Sequence, residues 1–121
     1  MLTSPPLKYE ATEVSSTELN TMLRENETAI LVYVWAPWCP PCKSMTPALD
    51  DVAAEIGQNV RVVKLNAVSE SQTLTALGIA SVPTLLLFSA EGRELARFLG
   101  ALNSSAILDW ISKNNTLSCN D

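Results

Sequence analysis

The residues best able to do chemistry in this chain are Cys39 and Cys42, three apart in the stretch VWAPWCPPCK at positions 34–43. Two thiols at that spacing can ligate a metal, close a structural disulfide, or cycle between dithiol and disulfide. A tetrahedral thiolate or imidazole site usually takes four ligands. The sequence has no histidine, and its third cysteine, Cys119, lies in the tail. One chain does not close such a site, so no metal is expected; two copies, each giving Cys39 and Cys42, would close one. A permanent staple fits poorly, because closing so short a loop removes little chain entropy.

The redox reading fits the surroundings. The motif falls where an apolar strand run ends and a helical pattern begins. Cys39 then takes the N-cap, with Pro40 and Pro41 in the first turn, where proline is tolerated because those N–H groups lack helical partners. Residues three apart share a helix face, so the two sulfurs can pair or part with little backbone movement. The partial positive charge of the helix N-terminus favours a thiolate on Cys39. Cys39 is the expected attacking sulfur and Cys42 the resolving one.

Several elements must hold this pair in place. Ser15 and Glu18 form a capping box that opens a short helix through Met22 and Leu23. Residues 29–35, AILVYVW, are a continuous β-branched and aromatic run, as in a strand buried on both faces. A helix is expected from Pro40 to Ile56, with Met45, Leu49, Val52, Ala53 and Ile56 on one face, Pro47 kinking it and Gly57 ending it. A strand follows at 60–66. Ser69 and Gln72 are expected to cap another short helix, stopped by Gly78. Residues 84–89 and 94–99 flank AEG and read as a hairpin. Asn103 caps a last helix, with Ile107, Trp110 and Ile111 inward. Strand–helix–strand units imply parallel pairing by right-handed crossovers, and the hairpin adds an antiparallel strand. The fold class is α/β: a single mixed sheet with helices on both faces. The expected organisation is an N-terminal arm at 1–10, one domain at 11–114, and a flexible polar tail at 115–121 that carries Cys119.

WAPWCPPCK resembles the active-site segment of the thioredoxin family, usually written W-A-x-W-C-G-P-C-K. Further likenesses follow in the family's order: VVKLN at 62–66, SVPTLLLF at 81–88, EG at 91–92 and GAL at 100–102. The resemblance spans about residues 12–113. It implies the thioredoxin fold and a protein disulfide reductase, with Trp35, Trp38, Pro40, Pro41, Lys43, Lys64 and Tyr33 supporting the active site. It also implies a cis peptide bond before Pro83, and a substrate groove of Trp38, Val82, Pro83, Gly100 and Ala101. An extended substrate would pair there with the Val82 backbone, as an added strand. For the attacking thiol of such a motif the family's reference pKa is about 7, a figure taken over from the family, against about 8.5 for free cysteine.

Three positions depart from the family. Pro40 replaces a glycine and removes an N–H near the Cys39 sulfur, which predicts a less stabilised thiolate. Tyr33 stands where the family commonly buries an acid that helps deprotonate the resolving cysteine. A neutral phenol does not accept that proton, which predicts slow resolution by Cys42, unless Lys64 assists through its charge; the plainer reading of Lys64 is a side chain snorkelling to the sheet edge. Val68 stands where the family often has an acid, which predicts that the Trp35 indole lacks its partner.

Composition narrows the function. Among the 121 residues, 47% are hydrophobic, so a packed core is expected. The net charge of −5 argues against nucleic acid or an anionic membrane surface as partner. The N-terminal residues show no leader pattern, and the expected location is cytoplasmic. Expected partners are disulfide-containing proteins and a reductase such as thioredoxin reductase; the expected state is a monomer without cofactor. Two other functions compete: a thiol oxidase or isomerase of the same fold, and a docking module whose cysteines are idle.

Overall fold

The structure, a computed structural model, describes residues 10–25 and 27–115. The expected arm before Glu10, the tail beyond Asn115 and Cys119 lie outside the described residues.

The buried run Ala29–Trp35 forms β2, the middle strand of five in the order β1-β3-β2-β4-β5. The flanking elements are β1 (Thr12–Glu13), α1 (Ser16–Glu25), α2 (Pro40–Ile56), β3 (Val60–Asn66), α3 (Ser71–Leu77), β4 (Thr84–Phe88), β5 (Glu94–Leu99) and α4 (Ser104–Asn114). Every residue of β2 except Trp35 is buried, as a strand covered on both faces requires. β2 pairs parallel with β3 and antiparallel with β4.

The pairing corrects the expected topology in two places. Only the β2–α2–β3 crossover joins parallel neighbours. β4 lies against β2 rather than β3, so β4 is the reversed strand, and β5 pairs antiparallel with it. A short strand, β1, also pairs parallel with the outer edge of β3, Thr12 opposite Val63 and Glu13 opposite Lys64. Two residues carry no readable alternation, which is why the sequence pattern does not announce this strand.

The alternation of β side chains splits the core into two layers. Leu31, Tyr33, Val60, Val62, Leu85 and Leu87 pack against α2 and α4. Ile30, Val32, Val34, Val63, Leu65 and Leu86 pack against α1 and α3. Burying each such aliphatic side chain is worth about 1.5–3 kcal/mol relative to exposure. Trp110 is half-buried rather than interior, and meets Phe98 edge-on with ring centroids 6.4 Å apart.

The caps show which local signals held. Ser15 Oγ accepts the Glu18 N–H, and the Glu18 carboxylate accepts the Ser15 N–H, completing the capping box. Asn103 Oδ1 accepts the Ala106 N–H at 2.8 Å. Gly78 ends α3 with φ +72°, the left-handed conformation open to glycine. Gly57 ends α2 differently: its φ is −57°, so its N–H simply continues to the Ala53 carbonyl. The cap expected from Ser69 and Gln72 does not form. Glu70 is the N-cap of α3 and makes no side-chain cap bond. Its carboxylate turns instead to Ser16 on α1, accepting both the N–H and the hydroxyl. α2 runs uninterrupted through Pro47, which has no N–H to offer the Lys43 carbonyl one turn back. Among the described residues, no helix is long and apolar enough to cross a membrane.

Candidate active site

β2 ends at Trp35, and a short loop carries the chain to Cys39 at the N-cap of α2. The loop is held at both ends. The Trp35 carbonyl accepts the Ala67 N–H at 2.7 Å, and the Ala36 carbonyl accepts the Cys39 N–H at 3.2 Å. Pro40 and Pro41 fill the first turn, so the first amide able to reach the Cys39 sulfur is that of Cys42, which donates to Sγ at 3.2 Å. Cys39 and Cys42 are joined by a disulfide, with Cα atoms 5.2 Å apart. Both are buried, and no charged side chain hydrogen-bonds to either sulfur among the described residues.

Beneath the pair, Tyr33 is fully buried on β2. Its hydroxyl donates to the Cys42 carbonyl at 2.7 Å. Thr46, one turn further along α2, donates to the same carbonyl at 2.9 Å and lies 3.2 Å from the phenol oxygen. Loss of water pushes the Tyr33 pKa up, partly offset by the Thr46 hydrogen bond. The phenol therefore stays neutral and clamps the backbone of Cys42. Lys64 is half-buried beside Tyr33 in the β3–β2 register. Thr46 was legible in principle, since a threonine four residues after Cys42 in a helix can bond that carbonyl.

The Trp35 indole does have a partner, which corrects the expectation drawn from Val68. Its Nε1–H donates to Glu13 Oε1 at 3.1 Å. Val68 is exposed, and its N–H bonds Asn66 Oδ1. Partial burial raises the Glu13 pKa, against lowering by the Trp35 hydrogen bond, the charge of Lys64 and the Asn66 backbone; the charge of Glu70 adds a smaller upward push. No local signal could have found Glu13, because its partner lies 22 positions away.

Val82 and Pro83 precede β4, and Gly100 and Ala101 follow β5, at the sheet end where β2 finishes. The Val82–Pro83 bond is cis. Pro83 is buried, and its carbonyl accepts the Gly100 N–H at 2.9 Å. Gly100 has φ +124°, a conformation that side chains with Cβ rarely adopt. Trp38 is 68% exposed, the largest exposed apolar side chain among the described residues. Lys43 and Ala101 are also exposed. Ala101 borders a shallow groove between α2 and the start of α4, lined by Met45, Pro47, Ala48 and Leu102; the sequence pattern gave no sign of it.

A sequence model of the thioredoxin family matches residues 10–113. The chain belongs to the thioredoxin family. It is 34% identical over 104 residues to the thioredoxin of Rickettsia conorii, covering 86% of this chain and 98% of that one. It is 32% identical over 105 residues to the thioredoxin of Haemophilus influenzae, covering 87% and 97%. The chloroplastic M-type thioredoxin of Chlamydomonas reinhardtii is 30% identical over 107 residues, 88% of this chain and 76% of that one. Among solved structures, a chloroplastic thioredoxin z superposes with a TM-score of 0.81 at 23% identity, covering 88% of this chain and 96% of that one. With such a disulfide at the head of α2, this thioredoxin-family chain is a thiol–disulfide oxidoreductase, a protein disulfide reductase.

Proposed function

We propose that Cys39 is the attacking thiol and Cys42 the resolving thiol of this reductase. In the reduced protein, Cys39 as thiolate attacks one sulfur of a substrate disulfide and forms a mixed disulfide. The substrate's other sulfur leaves as a thiolate and takes up a proton. Cys42 then loses its proton and attacks Cys39 Sγ, breaking the mixed disulfide and releasing the second substrate thiol. The substrate gains two electrons and two protons, and the protein is left with the 39–42 disulfide. A thioredoxin reductase returns the two electrons.

One observation carries this reading: Cys39 Sγ sits at the N-terminus of the 17-residue helix α2 and accepts a hydrogen bond from the Cys42 amide. Fixed dipoles there favour negative charge on that sulfur over its neighbour. Substrates are disulfide-bonded proteins bound as an extended segment along the Val82 backbone, between Trp38 and the Pro83–Gly100–Ala101 edge. Trp35, Pro40, Pro41, Lys43, Lys64 and Tyr33 shape and support the pair. The protein works as a monomer, in a reducing, cytoplasmic setting, where a dithiol reductase is kept in its active form.

Reduction of insulin driven by dithiothreitol tests the assignment. Cys39→Ser is expected to fall to the uncatalysed rate, and Cys42→Ser to accumulate the mixed disulfide. Activity surviving in Cys39→Ser would overturn it. Titration of the 39–42 couple against glutathione fixes the direction of electron flow. A value near about −270 mV, the family's reference figure, supports the reductase, and one above about −180 mV an oxidase.

A further inference from the structure

The expected acid after β3 is missing, yet the Trp35 indole is hydrogen-bonded to a carboxylate on a different strand. We propose that Glu13, on the edge strand β1, is a positioning residue of the redox site and acts through Trp35. The proposal rests on the redox reading above and deepens it.

The sheet register places the residues. Glu13 lies opposite Lys64, and Lys64 opposite Tyr33, so the three form one row across β1, β3 and β2. Ala11, two residues before Glu13, packs in the core layer that holds Cys39 and Cys42, which puts Glu13 on the same side of the sheet. Neighbouring strands are about 4.8 Å apart, so Glu13 stands about 10 Å from the β2 backbone at Tyr33. The Trp35 ring bridges the gap, reaching back to Glu13 from the strand that leads into Cys39.

The strand that carries Glu13 is itself held. The Val14 N–H donates to the Lys64 carbonyl at 2.9 Å, and the Ala11 N–H to Asp50 Oδ1 on α2 at 3.3 Å. β1 is thus fastened to β3 on one side and to the helix bearing Cys42 on the other. Lys64 stands opposite Glu13 in the register, and its charge favours the ionised carboxylate. An indole N–H donates one hydrogen bond and accepts none, so Glu13 fixes which way the ring lies. The ring in turn packs on the core layer that contains both cysteines. Three residues separate Trp35 from Cys39, and that loop is bonded at each end, so tilting the ring displaces the floor of the site.

The test is a double-mutant cycle in dithiothreitol-driven insulin reduction, using the full chain and the variants Glu13→Ala, Glu13→Gln, Trp35→Phe and Glu13→Ala with Trp35→Phe. Glu13→Ala is expected to lower kcat/KM about three- to tenfold, the size of one hydrogen bond. It should also change the tryptophan emission that accompanies reduction. Glu13→Gln keeps an acceptor oxygen and should stay within about twofold of the parent. In the Trp35→Phe background, Glu13→Ala should cost less than about twofold, because the route through the indole is gone. The proposal is overturned if Glu13→Ala has parental kcat/KM, if Glu13→Gln is as impaired as Glu13→Ala, or if the loss is equal in both backgrounds. Parental activity that disappears in Cys39→Ser keeps the redox reading standing whichever of these results appears.

Discussion

The two faces of the central sheet use polar groups in opposite ways. On the α1/α3 face the interior is apolar apart from Thr84, whose hydroxyl donates to the Ser81 carbonyl, and the other polar contacts lie at its rim. Ser16 binds Glu70, Thr73 donates to Ser16, and Arg97 donates to the last carbonyls of α3 at Leu77 and Gly78. On the α2/α4 face polar side chains enter the interior. Tyr33 lies fully buried under Cys42 with half-buried Lys64 beside it, and half-buried Trp35 reaches outward to the exposed Glu13 at the sheet edge. A buried polar group is costly unless it is bonded, so it marks a place where position matters more than stability. The α1/α3 face is scaffold, and the α2/α4 face carries the chemistry.

Five changes break or sharpen that contrast. Leu86→Ala hollows the α1/α3 face and is expected to cost about 2–5 kcal/mol of stability. Its kcat/KM for insulin, measured where the variant is still folded, should match the parent. Chemical denaturation and the insulin assay read the two quantities, and a large fall in kcat/KM would erase the distinction between faces.

Tyr33→Asp places a carboxylate under Cys42. It should speed decay of the mixed disulfide at least about tenfold in rapid mixing, since a positioned base contributes that much or more. Stability should fall at the same time, by about 1–3 kcal/mol. A parent that already resolves as fast as the Asp variant would show that the missing acid does not matter. Tyr33→Phe separates the two roles: it should lose about 1 kcal/mol of stability through the Cys42 carbonyl bond and leave the resolution rate unchanged.

Pro40→Gly restores an N–H near Cys39 and should lower the thiolate pKa by less than about one unit, followed by ultraviolet absorbance of the reduced protein. A rise would contradict the account of the proline pair.

The smallest effect concerns the rim. Hydrogen bonds from Ser16 hold the Glu70 carboxyl below its ordinary value near 4.5. A carboxyl whose folded pKa is depressed adds stability above the unfolded pKa and loses it as pH falls through the folded one. The melting-temperature gap between parent and Glu70→Gln should therefore be full near neutrality and shrink as the pH drops below 4.5. A gap that stayed constant would remove the carboxylate from the clamp.

The short-range features were readable because they depend on neighbours along the chain. β2, α2 and β3 begin and end at the residues their apolar patterns mark. The Ser15–Glu18 box and the Asn103 cap form as written. Where two local signals competed, the tertiary partner won. Glu70 left its own helix to bind Ser16, 54 positions away, and the Ser69 and Gln72 cap did not form.

By itself, the sequence determined the cysteine pair, the helix that Cys39 caps and the elements on either side. Each follows from spacing and periodicity within a few turns of chain. Only the tertiary structure decided that β4 lies reversed against β2, that β1 closes the far edge, and that the acid facing Trp35 comes from Glu13. Those contacts join segments distant in sequence. Their register is set by which apolar faces must be covered at once, and no single stretch of the chain contains that condition.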